Sequence, residues 1–211
     1  MSLAAWRRPD RLPPVLLLLT GSTCSGKSAI GRLLTDVPNL EVHDVDAVVA
    51  EDADAVCRQQ GLESWVQQAV AAEDRGVDVL LTTQSPLGEA LAVPTAALMG
   101  RISVCLIDVS DEERLRRLAE RDPGVWSAKD KDAFLARADW HRHHAADPTY
   151  RRDVLTSNAW APMMWDRWAG WGPDDPRWRV EIIDTTGLTV AESADRVRAW
   201  IETVRNPPRD G

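Results

Sequence analysis

Residues Val15 to Ser28 constrain the fold of this chain more than any other segment. Val15-Leu-Leu-Leu-Leu19 is an unbroken apolar run, bounded by Pro13-Pro14 before it and Gly21 after it. Five residues are too few for a membrane span or for the apolar core of a signal peptide, although Arg7, Arg8 and Arg11 precede the run. That length suits a strand buried on both faces, as in a parallel sheet. The run leads into Gly21-Ser22-Thr23-Cys24-Ser25-Gly26-Lys27-Ser28, which matches the spacing G-x-x-x-x-G-K-[ST]. Glycines at these places let the backbone turn tightly, so that several amides point inward at phosphate oxygens. Lys27 is then placed to bridge β- and γ-phosphates, and Ser28 to ligate Mg²⁺. The whole loop, Gly21 to Ser28, is the expected phosphate cradle.

The rest of the chain alternates strand and helix signals. Strands are expected at Leu40–His43, Val77–Thr82, Ile102–Asp108 and Arg179–Asp184. Helices are expected from Ser28 to Leu34, from Ala47 to Gln60, from Glu63 to Ala72 after a break at Gly61, and from Asp111 to Glu120 behind a Ser110 cap. A closing helix, capped by Thr189, carries Val190, Ala194, Val197 and Ile201 on one stripe. Alternation of this kind implies an α/β fold with a parallel sheet between helices. Residues 1–211 are expected to form one domain. Within it, residues 122–178 form an insert without a strand signal that holds seven of the ten tryptophans.

The net charge of −8 disfavours a non-specific nucleic-acid or anionic-membrane partner, because the mean field repels polyanions. Cys24, Cys57 and Cys105 are odd in number and widely spaced. That spacing argues against a disulfide framework and fits a reducing, cytoplasmic setting.

Four further features make the layout resemble the P-loop small-molecule kinases: the shikimate, gluconate and adenylylsulfate kinases and chloramphenicol phosphotransferase. His43-Asp44-Val45-Asp46 closes the second strand, 17 to 19 residues after Lys27. Leu80-Leu-Thr-Thr-Gln84-Ser85-Pro86 ends the third strand without the acidic residue that motor ATPases carry there. Arg117-Leu-Ala-Glu-Arg121 matches an R-L-x-x-R signature, and Ile183-Asp-Thr-Thr186-Gly187 follows the last strand. The resemblance implies a three-layer fold with five parallel strands in the order 2-3-1-4-5 and a helical, tryptophan-rich lid.

It also implies ATP and Mg²⁺ as cofactors and transfer of the γ-phosphoryl group to a hydroxyl of a small-molecule acceptor. Asp46 is the implied base and Asp44 its support on substrate or metal, with the choice of base between them open. Asp46 also fits a plain helix cap before Ala47. Gln84 and Ser85 would touch the acceptor. Arg117 and Arg121 would contact the nucleotide, with Arg121 favoured near the transferred group and Arg114 and Arg116 solvated. Thr186 and Gly187 would back the adenine.

Two alternatives stay open: a nucleoside or nucleotide kinase, and a P-loop regulatory ATPase with no small acceptor. Monomer and homodimer are both compatible with the resemblance. The insert is expected chiefly to glue itself to the domain through its tryptophans. Arg142, Arg151 and Arg152 are further candidates for anionic groups, and His141, His143 and His144 are expected on an exposed polar helix face.

Overall fold

In the computed structural model, residues 12–45 and 53–207 are described. Five strands, β1 (Leu16–Thr20), β2 (Leu40–Asp44), β3 (Asp78–Thr83), β4 (Ile102–Asp108) and β5 (Val180–Asp184), form one sheet. All pairings are parallel and the order is β2-β3-β1-β4-β5. β1 sits in the middle, which explains its sequence. Leu16 and Leu18 face one side of the sheet, against Leu62, Val66 and Ala69. Leu17 and Leu19 face the other, against Ile30, Leu34, Val197 and Ile201. With both faces buried, the strand is apolar from Leu16 to Leu19, and its one polar residue, Thr20, comes at the C-terminal end beside the loop.

The helices are α1 (Lys27–Arg32), α2 (Ala55–Glu73), α3 (Leu87–Ala92), α4 (Asp111–Arg121), α5 (Ala128–Ala146), α6 (Asp153–Thr156) and α7 (Val190–Arg205). Caps follow the sequence: the Ser110 hydroxyl accepts from the Glu113 amide, and Thr189 forms a reciprocal box with Glu192. The expected break at Gly61 is absent, and α2 runs straight through it. A glycine inside a helix costs about 1 kcal/mol. Burying Leu62, Val66, Ala69 and Ala72 along one stripe outweighs that cost. The expected helix from Ala47 begins outside the described residues; the described part starts at Ala55 behind an Asp54 cap. On α7 the stripe holds at Ala194, Val197 and Ile201, whereas Val190 is exposed.

The insert binds the body firmly. Trp140, Trp168 and Trp178 are buried in the core beside α3, and Trp160, Trp165 and Trp171 lean on them. The Arg167 guanidinium donates to the carbonyls of Leu91, Val93 and Pro94 at 2.9, 2.6 and 2.8 Å. Arg152 donates to the carbonyls of Pro148, Ala169 and Trp171 and stacks on Trp168. It is therefore part of the glue, and Arg151 is spent on Asp153. His141 and His144 lie buried, contrary to the exposed face expected for them; only His143 is exposed. His144 stacks on Trp140 at 4.8 Å, and its Nδ1 meets the Tyr150 carbonyl at 3.1 Å.

Two outcomes follow from this packing. A Cβ on Gly88 would stand 2.7 Å from Cζ2 of the fully buried Trp168, whereas one on Gly170 would meet nothing within 4 Å. Gly88→Ala is expected to cost about 1–3 kcal/mol and lower Tm by several degrees, with Gly170→Ala near neutral in the same thermal melts. The second outcome concerns pH. Desolvation pushes the His144 imidazole down to about 4 and holds His141 well below its ordinary range. Both rings are neutral when folded, so the unfolded chain binds more protons below about pH 6.5. Stability is therefore full above that pH and is lost as pH falls toward about 4. Melts between pH 7 and 4.5 should show this loss, amounting to a few kcal/mol at most. His144→Asn should flatten the slope, and the exposed His143→Asn should leave it unchanged.

Candidate active site

The loop after β1 folds as its glycines require. Gly21 has φ +151°, and a Cβ there would stand 2.4 Å from the Ile107 carbonyl oxygen. Gly26 has φ +99° and lies directly before α1. Between them Cys24 takes the left-handed φ of 61°, an uncommon setting for a residue with a Cβ. Desolvation raises its thiol pKa, so the sulfur stays protonated and its part here is conformational. The hydroxyls of Ser22 and Ser25 are buried and make no hydrogen bond with any described residue. The buried Lys27 ammonium approaches the Ser22 carbonyl at 3.5 Å.

Above the loop opens a cleft of about 1370 Å³. Thr23, Cys24, Gly26, Lys27 and Ser28 form its floor, and Arg117 and Arg121 of α4 form one wall. Trp126 and Phe134 meet edge to face at 5.0 Å on the wall made by the insert. Cations lining the cleft outnumber the two carboxylates, Glu113 and Glu120, in a chain whose overall charge is −8. The local field is thus the reverse of the mean field and suits a polyphosphate.

Arg117 connects the two edges of the cleft. It donates to the Ser25 carbonyl at 3.3 Å, to the Thr185 carbonyl at 3.4 Å and to Glu113 at 2.7 Å. Its bonds to Arg116 and Arg117 hold the Glu113 carboxyl down to about 2. Arg121 also lines the cleft and donates to Asp122 at 2.7 Å. Thr186 and Gly187 stand just outside the lining, and their successors Leu188, Thr189 and Val190 form it. Thr186 has another task, since its hydroxyl accepts from the Ser110 amide at 2.8 Å.

On the other side of β1 in the sheet, Asp44 ends β2 in register with Thr82, and its Oδ1 is buried without a hydrogen-bond partner among the described residues. Gln84 lines the cleft; Ser85 is buried beside it, with its amide donating to the Thr83 hydroxyl. Asp46 lies outside the described residues.

The donor set fits a magnesium ion held mostly by phosphate and water. It offers the Ser28 hydroxyl and the orphaned Asp44 oxygen, and the described residues contain no cluster of three or more His, Cys, Asp or Glu able to cage a metal.

Three residues that organise or line this cleft carried no readable motif. Arg114, expected in solvent, is fully buried. It donates to the Thr23 carbonyl at 2.5 Å and to Asp108 at 2.7 Å. Asp108, at the end of β4, also receives Arg142 at 2.5 Å, so Arg142 is committed to the frame and to Asp111. Arg137 of α5 lines the cleft beside Phe134. Position on helix faces was the only available signal for Arg114 and Arg137.

Comparisons place this geometry among known folds. A sugar kinase from Janibacter sp. superposes with a TM-score of 0.56 at 16% identity, covering 92% of this chain and 97% of that one. A gluconokinase from Sinorhizobium meliloti gives 0.56 at 13% identity, with 92% and 95% covered. Shikimate kinase from Acinetobacter baumannii gives 0.50 at 16%, with 92% and 96% covered. The fold is that of the P-loop kinases. No protein-family model and no curated protein sequence matches the chain. No described helix is long and apolar enough to cross a membrane.

The buried Arg114 makes the loop's shape depend on α4. Arg114→Met removes the donor to Thr23 and leaves Asp108 with Arg142 alone. Breaking a buried pair of this kind costs about 3 kcal/mol. Calorimetric titration with Mg²⁺ and a non-hydrolysable ATP analogue is expected to show affinity at least tenfold weaker. Unchanged affinity would mean that the clamp does not shape the loop.

Proposed function

We propose that this chain is an ATP- and Mg²⁺-dependent phosphotransferase that acts on a hydroxyl of a small molecule, within one domain in which residues 122–178 serve as insert and partial lid. The observation that carries this reading is the cationic cleft over the Gly21–Ser28 loop, with Lys27 at its floor and Gln84 of the β3 edge in its lining; at the end of the neighbouring β2, Asp44 keeps a buried carboxylate oxygen without a hydrogen-bond partner among the described residues.

In this reading the loop amides and Lys27 hold the β- and γ-phosphates. Ser28, with Asp44 in support, would hold a magnesium ion, which would supply positive charge beside the β- and γ-phosphates. The acceptor oxygen attacks the γ-phosphorus, the bond to the β–γ bridging oxygen breaks, and ADP leaves. The hydroxyl proton passes to a carboxylate, either Asp46 or Asp44. Arg117 and Arg121 offset charge on the phosphates, while Leu188 to Val190, directly after Thr186 and Gly187, border the base. Gln84 and Ser85 face the acceptor. Trp126 and Phe134 close the outer wall against water, which would otherwise compete as acceptor.

The test is ADP release from Mg·ATP with sugars, sugar acids, nucleosides, nucleotides and hydroxylated antibiotics as acceptors. One class is expected to raise turnover well above background. Lys27→Ala should abolish that gain and Asp46→Asn should reduce it by about 10²-fold or more. A nucleoside or nucleotide as the responding class would assign the chain to base-recognising kinases. Turnover indifferent both to every acceptor and to Asp46 would instead favour a regulatory ATPase.

A further inference from the structure

A second, much smaller cavity of about 10 Å³ lies between α5 and the sheet, apart from the cleft. Leu87, Val104, Leu106 and Trp178 give it apolar walls. Three polar side chains also line it: Thr20 at the end of β1, and His141 and His144 on α5. Their exposures are 2%, 3% and 0%. Thr20 Oγ1, His141 Nε2 and His144 Nε2 make no hydrogen bond with any described residue. Buried polar groups of folded proteins are nearly always satisfied, so three orphaned atoms around one cavity point to something that completes them.

The rings are not free to seek other partners. His144 stacks on Trp140 at 4.8 Å and meets Trp178 edge-on at 5.4 Å. Its Nδ1 lies 3.1 Å from the Tyr150 carbonyl. A carbonyl only accepts, so Nδ1 carries the hydrogen and Nε2 presents a lone pair. Flipping the ring would set a carbon against that carbonyl. His141 is held edge-on against Trp140 at 4.9 Å.

Size and chemistry then select the occupant. The cavity has the volume of about one water. An anion cannot donate to the His144 lone pair. A metal ion would find two imidazoles and a hydroxyl, with no carboxylate or thiolate in the wall. It would also meet the positive charges of Arg137, Lys27 and Arg114, which act on His141. Water brings two donors and two acceptors and carries no charge.

We propose that this cavity binds one water molecule, bonded to Thr20 Oγ1, His141 Nε2 and His144 Nε2, and that this water ties the insert to the residue from which the phosphate loop departs. The water donates one hydrogen to His144. Its second hydrogen and a lone pair serve His141 and the Thr20 hydroxyl, which can donate or accept. About three bonds are usual for a buried water. Thr20 directly precedes Gly21, so α5 and the start of the loop share one polar junction. The junction is independent of the reaction carried out in the cleft.

The experiment compares the full chain with Thr20→Val and Thr20→Ser. In the wild type, NMR is expected to show cross-relaxation between water and the ring protons of His141 and His144. Oxygen-17 relaxation dispersion should count one more long-lived water in the wild type than in Thr20→Val. That substitution keeps the side-chain shape and removes only the hydroxyl. It should lower Tm by about 2–5 °C, as the loss of one hydrogen bond to water implies. Thr20→Ser should keep the contacts between water and the rings. A hydroxyl with no partner would give the opposite sign, because its replacement by a methyl group removes an unsatisfied polar atom.

The proposal is overturned if the wild-type rings show no contact with water, or if Thr20→Val melts at or above the wild type. A stoichiometric metal ion in the purified protein that is lost in His144→Asn would overturn it too. If Thr20→Val does not fold, the contacts between water and the wild-type rings decide alone.

Discussion

Asp108 is the residue on which the cleft depends. It ends β4, and its two carboxylate oxygens take the guanidinium of Arg114 on one side and of Arg142 on the other. Its carbonyl accepts both the amide and the hydroxyl of Thr185. Through Arg114 it reaches the Thr23 carbonyl of the phosphate loop; through Arg142 it reaches α5; through Thr185 it reaches the turn before α7. One carboxylate therefore sets the relative position of three walls. Buried ion pairs of this kind contribute little net stability, because desolvation offsets the attraction. Their value lies in geometry: a guanidinium with a fixed fork allows few arrangements of its partners.

The two halves of the cleft differ in how completely their polar groups are satisfied. On the β4–β5 side, Arg114, Arg117 and Thr185 bond to backbone carbonyls and carboxylates, with only Nε of Arg114 left without a partner among these three side chains. On the β2–β3 side, Asp44 Oδ1 and the Thr82 hydroxyl have no hydrogen-bond partner among the described residues. Buried polar groups are nearly always satisfied in folded proteins, and exceptions concentrate where a ligand completes them.

Much of the frame was legible in the sequence because its signals are local. The apolar run Val15–Leu19 had no room for polar residues, and burial on both faces follows from that alone. Gly21 and Gly26 announce backbone angles that other residues resist, and Ser110 and Thr189 announce helix starts. Long-range decisions were not legible. Nothing around Gly61 tells that the buried stripe of α2 continues across it. Arg114 and Arg116 are two residues apart on one charged helix, yet one is fully buried and the other is exposed, and only the position of Asp108 decides between them. His141 and His144 read as polar, but the stacking ring of Trp140 and the contacts of Trp178 place them in the core. Arg137 shows no motif at all; only the packing of α5, with its guanidinium over Trp140, brings it to the cleft.

The anchoring of the insert limits what can close over the cleft. From Trp140 onward its side chains are fixed by the tryptophan cluster, by the three carbonyls under Arg167 and by Gln59, which links Glu89, Leu155 and the Trp160 amide. Moving that body would break all of these together. The connection between α4 and α5 has much less to lose. Pro123, Gly124 and Val125 are exposed, Gly124 sits at φ +74°, and a single carboxylate, Asp122, joins Arg121 to Trp126. A rearrangement over the cleft would therefore cost least at this connection and in the first turns of α5, which carry Phe134. A motion of that kind would move Arg121 and Trp126 as one unit, because they share Asp122, and would exclude water from the phosphate end without disturbing the core.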